Sequence, residues 1–133
     1  IKMIKFFSNY KIIFYFINFS LIFLYLFPGS LIGWFLYNDK KIQPQITPDF
    51  VVSSNHFYAF IFLAVISFLS YDKSSQIKIV KIYLIVLSII LELFHLIIPD
   101  RSFQWHDLFG NLLGVIIVIL IQNLINKYGF FKK

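Results

Sequence analysis

The run Asp107-Leu-Phe-Gly-Asn-Leu-Leu-Gly-Val-Ile-Ile-Val-Ile-Leu-Ile-Gln-Asn-Leu-Ile125 decides the fold. Beyond Asp107 it carries no charge, and at ~1.5 Å per helical residue it reaches across a hydrocarbon layer of ~30 Å. Working outward, three more apolar runs have comparable length: about Ile12–Phe27, Val51–Tyr71 and Ile79–Ile98. Polar stretches separate them, and Tyr71-Asp72-Lys73-Ser74-Ser75 turns the chain between the second and third. Residues 38–50 hold Pro44 and Pro48, and 99–106 open on Pro99-Asp100-Arg101-Ser102. The pattern predicts one all-α domain over residues 1–133, a polytopic membrane protein folded as a compact bundle of four transmembrane helices.

Composition agrees. Of 133 residues, 59% are hydrophobic and 21% aromatic, only 14% are charged, and mean hydropathy is +0.81. Soluble domains run nearer 45–50% apolar and about 25% charged. Eighteen Phe and two Trp exceed what a small aqueous core can hide, so a water-soluble enzyme and a disordered chain are both excluded. The absence of cysteine excludes a thiolate nucleophile, a disulfide framework and a Cys-based metal site. The net charge of +6 sits in lysines flanking apolar runs, which argues against nucleic acid as a partner and for the lipid bilayer. The run 12–27 has no A-x-A site and reads as an uncleaved anchor. Past Pro28, the stretch to Tyr37 has two readings: an extension of that helix beyond a kink, or a segment lying in the interface with Trp34 and Tyr37.

Counting flanking cations orients the bundle. Lys2, Lys5, Lys11, Lys73, Lys78, Lys81, Lys127, Lys132 and Lys133 fall on one side; Lys40, Lys41 and Arg101 fall on the other. Under the positive-inside rule, this bias puts both termini in the cytoplasm and loops 38–50 and 99–106 outside.

That topology gathers the chemically capable residues in one leaflet. His56 lies near the outer end of the second span, Glu92 and His95 near the outer end of the third, and Asp107 and Asn111 in the first turns of the fourth. Helical spacing sets Ser88, Glu92, His95 and Pro99 on one face, and Asp107, Gly110, Asn111 and Gly114 on another. On the second span His56, Ala59, Phe60, Leu63 and Ser67 share a face. Lipid cannot satisfy polar groups, so the three faces are expected to meet around a polar pocket open to the outside. The candidate ligand-binding residues are His56, Glu92, His95, Arg101, Asp107 and Asn111.

Each has a plainer reading. Glu92 would cost about 2.5–3.5 kcal/mol if inserted charged, so it needs a cation such as His95 or Arg101, or else serves as a neutral hydrogen-bonded brace. Asp107 has the position of an acidic helix cap. Arg101 suits phosphate or carboxylate recognition, and equally anchors to lipid phosphates. Glu92-x-x-His95 with His56 and Asp107 would make a four-ligand set. Di-metal bundles need more carboxylates than this chain offers, and no metal or other cofactor is assigned. Gly110 and Gly114 form a GxxxG that fits a dimer face, but the company of Asp107 and Asn111 favours packing inside the bundle, with the last helix close against the third span. No oligomer is predicted.

From Glu92-Leu-Phe-His95 through Pro99, Arg101, Asp107 and Asn111 to Gly114, the outer half of the last two spans resembles the signature of the VanZ-like membrane protein family. His56-Phe57-Tyr58-Ala59-Phe60 is similar to that family's earlier His-aromatic run. The resemblance covers about Asn55–Val118. His95 stands where the family usually has Gln, and Val52 and Ser53 stand where an Asp-Lys pair is common. The resemblance implies a small multi-pass protein of a bacterial cell envelope. The founding member's link to low-level glycopeptide resistance is not transferred to this chain.

Together these readings give the expected function: an inner-membrane protein whose outward pocket engages an anionic, lipid-linked or cell-wall-related ligand. Arg101 would contact the anion, and Glu92 and His95 would share a proton. Two alternatives stand beside it. One is an enzyme on a lipid phosphate or polyprenyl carrier, with His56 or His95 as acid/base and Asp107 as orienter. The other is a structural or assembly subunit locked by its polar cluster.

Overall fold

A computed structural model describes residues 2–129. Those residues form six helices and no strand: α1 Lys2–Asn9, α2 Ile12–Leu26, α3 Leu31–Tyr37, α4 Ser54–Tyr71, α5 Ile77–Phe94 and α6 Trp105–Tyr128. α4 and α6 are each long and apolar enough to cross a membrane. α1 and α2 qualify only as a pair, and they meet at a bend of 73°. α5 is as long as α4, but Lys78, Lys81 and Glu92 interrupt its apolar run.

Local chemistry explains the boundaries. α2 stops before Phe27-Pro28-Gly29, where Gly29 adopts a φ of +84°. Residues 31–37 are a separate helix, with Ser30 Oγ accepting the Gly33 N–H at 2.9 Å. Gly33 is required there, because a Cβ would run into the Ile42 carbonyl oxygen. The second long helix begins at Ser54 and not at Val51: the Asp49 carboxylate accepts its free N–H at 3.0 Å and fixes the first turn. α5 ends at Phe94, four residues before the expected limit, and the chain turns before Pro99. α6 starts two residues earlier than expected and runs to Tyr128, closed by Gly129 at a φ of +70°. Lys132 and Lys133, counted in the basic flank, lie outside the described residues.

α4 is the central helix, packing most broadly on α6 and also on α1, α2 and α5. Phe60, Leu63, Leu84, Leu91 and Val115 form the centre of the core. Phe16, Phe19, Phe35, Phe62 and Ile121 are among the many large apolar side chains left exposed around it.

Contacts at the two ends show the helix directions. At one end Lys11 lies over the Tyr71 ring, Tyr71 bonds Tyr15, Gln122 bonds Asp72 and Lys81 bonds Asn123. At the other, Tyr25, His56, Glu92 and Asn111 meet. α2 and α5 therefore run against α4 and α6.

Candidate functional site

The site lies where the C-terminal ends of α2 and α5 meet the N-terminal turns of α4 and α6. Asn111 is its keystone, buried on α6. Its Nδ2 donates to the Ser88 carbonyl at 3.1 Å, which turns Oδ1 toward α2 and α4. Oδ1 accepts the Tyr25 hydroxyl at 2.6 Å and faces His56 Nδ1 at 3.0 Å. Since Oδ1 can only accept, His56 carries its hydrogen on Nδ1. In the neutral ring the lone pair is then on Nε2, which lies 3.6 Å from Asp107 Oδ2.

Glu92 is fully buried on α5. Its Oε1 accepts the Gln104 N–H at 3.1 Å, while Oε2 makes no hydrogen bond. His95 Nδ1 stands 3.2 Å from Oε2 without hydrogen-bond alignment, and His56 Nδ1 stands 3.8 Å away. His95 Nε2 bonds the Tyr25 carbonyl at 2.9 Å, so it is the protonated nitrogen there. Its ring also stacks on that of Tyr25.

Arg101 makes no ion pair with Glu92 among the described residues. Its Nε and Nη2 donate to the carbonyls of Phe27 and Leu24 at 3.1 and 2.9 Å, holding the open C-terminal end of α2. Three of its five N–H donors remain for other partners. Burial lowers the guanidinium from its ordinary value, against the opposing pull of Tyr25, Glu92 and Asp107, and it stays charged at neutral pH.

A cavity of about 690 Å³ opens over this cluster, with Tyr25, Ser53, His56, His95, Arg101 and Asp107 in its wall. A smaller one of about 250 Å³ shares Ser30, Gln43, Asp100 and Arg101 and adds Lys40 and Lys41. The loop before α4 forms a roof. It is tied down by Asn55 Nδ2 to the Pro44 carbonyl at 2.7 Å and by Thr47 to Tyr58 at 2.9 Å.

Of the six residues singled out in the sequence, His56, His95, Arg101 and Asp107 line the main cavity. Glu92 and Asn111 are buried behind its wall and hold the others in place. Asp107 is not the helix cap. That position belongs to Gln104, and Asp107 lies in the first turn, at the positive end of the helix dipole. Gly110 and Gly114 close on α4, not on the third span: Cβ atoms there would stand 2.9 Å from the Ser53 carbonyl oxygen and 2.7 Å from that of Phe57. Sequence reading missed Tyr25, which contacts three of the six residues. Its signal was the helical spacing of Phe14, Asn18, Leu21 and Tyr25, all buried on α2. His106 stays apart, 4.0 Å from Asp49.

His56, Glu92 and Asp107 each place one potential ligand atom within 4.8 Å of the others. The chain matches no family model, no curated protein and no solved structure.

Proposed function

We propose that the chain is a VanZ-like integral protein of a bacterial inner membrane, crossing it four times with both termini cytoplasmic, and that its outward pocket holds the anionic head group of a lipid-linked envelope component. The observation that carries the reading is the pair of adjoining cavities with Arg101 in the wall of both. Lys40 and Lys41 add positive charge on the loop side, and the apolar flanks of α2 and α4 offer a surface for lipid chains. The alternating helix directions and the seven described lysines gathered at the opposite end support the topology. α2, with 15 residues, spans only ~23 Å, so its crossing uses the flanking Lys11 and Phe27-Pro28 region as well.

The test is retention of lipid by the purified protein in nanodiscs, read by native mass spectrometry. A polyprenyl phosphate should be retained over phosphatidylcholine, and Arg101→Ala with Lys40→Ala should abolish that preference. Equal retention by the variant would overturn the reading.

One observation favours catalysis as a second reading. His56 is hydrogen-bonded through one nitrogen and faces a carboxylate with the other, which orients it as a general base over the cavity. Release of phosphate or alcohol from such a lipid by the purified protein would distinguish this reading from simple binding.

A further inference from the structure

We infer that His56, Glu92 and Asp107 bind one divalent transition-metal ion of the zinc class at the floor of the main cavity. This step goes beyond the anionic-ligand reading and does not rest on it: the ligand is a cation held by His56, Glu92 and Asp107, whereas that reading rests on Arg101, Lys40 and Lys41.

The geometry approaches a ligand set. One atom from each of the three residues lies within 4.8 Å of the others, and His56 Nε2, the nitrogen with the lone pair, is 3.6 Å from Asp107 Oδ2. Ligands ~2.0–2.1 Å from a tetrahedral zinc lie roughly 3.3 Å from one another. Side-chain rotations that shorten the longest of these separations by up to about 1.5 Å would enclose an ion.

Independent of that spacing, Glu92 Oε2 is a fully buried carboxylate oxygen with no hydrogen-bond partner. A buried acceptor in that state costs free energy unless something positive reaches it, and it faces His56 and His95. A dication would satisfy Oε2 and balance the charges of Glu92 and Asp107 together.

The surrounding bonds resemble those that orient metal ligands. Asn111 Oδ1 takes the Nδ1–H of His56, which leaves the Nε2 lone pair toward Asp107. The Gln104 N–H holds Glu92 Oε1 and so fixes the direction of Oε2. Three ligands with His56 and Asp107 partly open to the cavity leave a fourth position for water or an incoming oxygen. One imidazole with two carboxylates suits zinc, iron or manganese better than magnesium, which prefers oxygen ligands alone.

The experiment uses the full chain, tag removed, purified in detergent and stripped with chelator, then dialysed against Zn²⁺ with metal and protein both quantified. One zinc per chain is expected, undiminished by a large excess of Mg²⁺. Co²⁺ should give the visible absorption of a low-symmetry site. Glu92→Gln and Asp107→Asn should each weaken zinc binding at least about tenfold, while His106→Ala leaves it unchanged. Thermal unfolding of the metal-free variants checks that they fold, and Asp107→Asn, at the partly exposed ligand, serves if Glu92→Gln does not. Absence of zinc binding by the folded protein would overturn the proposal. So would unchanged affinity in Asp107→Asn. Arg101→Ala should keep zinc while losing lipid preference, so the metal site and the anionic-ligand reading fail separately.

Discussion

Tyr25 Oη donates a 2.6 Å hydrogen bond to Asn111 Oδ1, joining α2 to α6 across 86 positions of sequence. The same oxygen faces His56 Nδ1 at 3.0 Å, so one amide oxygen sets both the packing of α2 and the tautomer of the histidine. In Tyr25→Phe the ring keeps its edge contacts with Phe60 and His56, and Asn111 Oδ1 keeps the His56 donor. The loss is therefore the bond to Asn111 and the 3.1 Å bond between Oη and His56 Nδ1, together about 1–2 kcal/mol. Thermal unfolding in detergent should register that modest drop, with Tyr25→Ala several times worse because the ring is gone. Equal effects of the two substitutions would mean the hydroxyl carries the whole contribution.

Gly110 and Gly114 lie against backbone, which cannot yield as a side chain can. A methyl at Gly114 would sit 2.7 Å from the Phe57 carbonyl oxygen and 3.1 Å from the Ile61 nitrogen, forcing α6 off α4. Gly114→Ala should cost about 1–3 kcal/mol. Gly110→Ala, where the closest approach is 2.9 Å, should cost less. Unfolding of the purified variants gives the ranking, and light scattering gives the oligomeric state. If these glycines formed a dimer face, substitution would change the state of association and spare the stability of the single chain.

The long helices were legible because an apolar run of the right length has few other uses, and α4 and α6 meet that criterion directly. Their ends were less so. Ser54 begins α4 because Asp49, five residues upstream, folds back to take its N–H. α1 was not foreseen: Lys2–Asn9 mixes lysines with Met, Ile and Phe and buries only Ile4. The polar face of each long helix could be read from spacing, and the residues expected to converge lie at one end of the bundle. Tyr25 was harder to pick out, because α2 is crowded with Phe and Tyr and only the spacing from Phe14 through Asn18 and Leu21 marks the ring that turns inward. The role of Arg101 in holding the Leu24 and Phe27 carbonyls depends on pairings more than 70 residues apart, beyond any periodicity argument.

The proposed four-span topology makes a prediction that the lack of native cysteine renders clean. Lys40→Cys, on the loop roofing the cavity, should react with a membrane-impermeant maleimide added to intact spheroplasts. Lys73→Cys, in the α4–α5 turn, should react only after the membrane is opened. Labelling of both from the same side would leave α4 unable to cross the bilayer and would overturn the arrangement.

Glu92→Gln tests the state of the buried carboxyl. His95 Nε2 must be protonated to bond the Tyr25 carbonyl, so in the neutral ring the Nδ1 lone pair faces Glu92 Oε2 at 3.2 Å. A glutamine there keeps the acceptor for the Gln104 N–H and places an amide donor opposite that lone pair. In chelator, the glutamine variant should unfold at or above the wild-type temperature. Glu92→Ala should fall by about 2–4 kcal/mol, because it leaves the Gln104 N–H unpaired and opens a void. With zinc added, the order should reverse, since only the wild type gains the binding energy of the ion. A loss of about 3–5 kcal/mol in the glutamine variant without metal is what breaking a buried ion pair costs. That outcome would make Glu92 and His95 a charged pair in the metal-free protein and remove the need for a cation at Oε2.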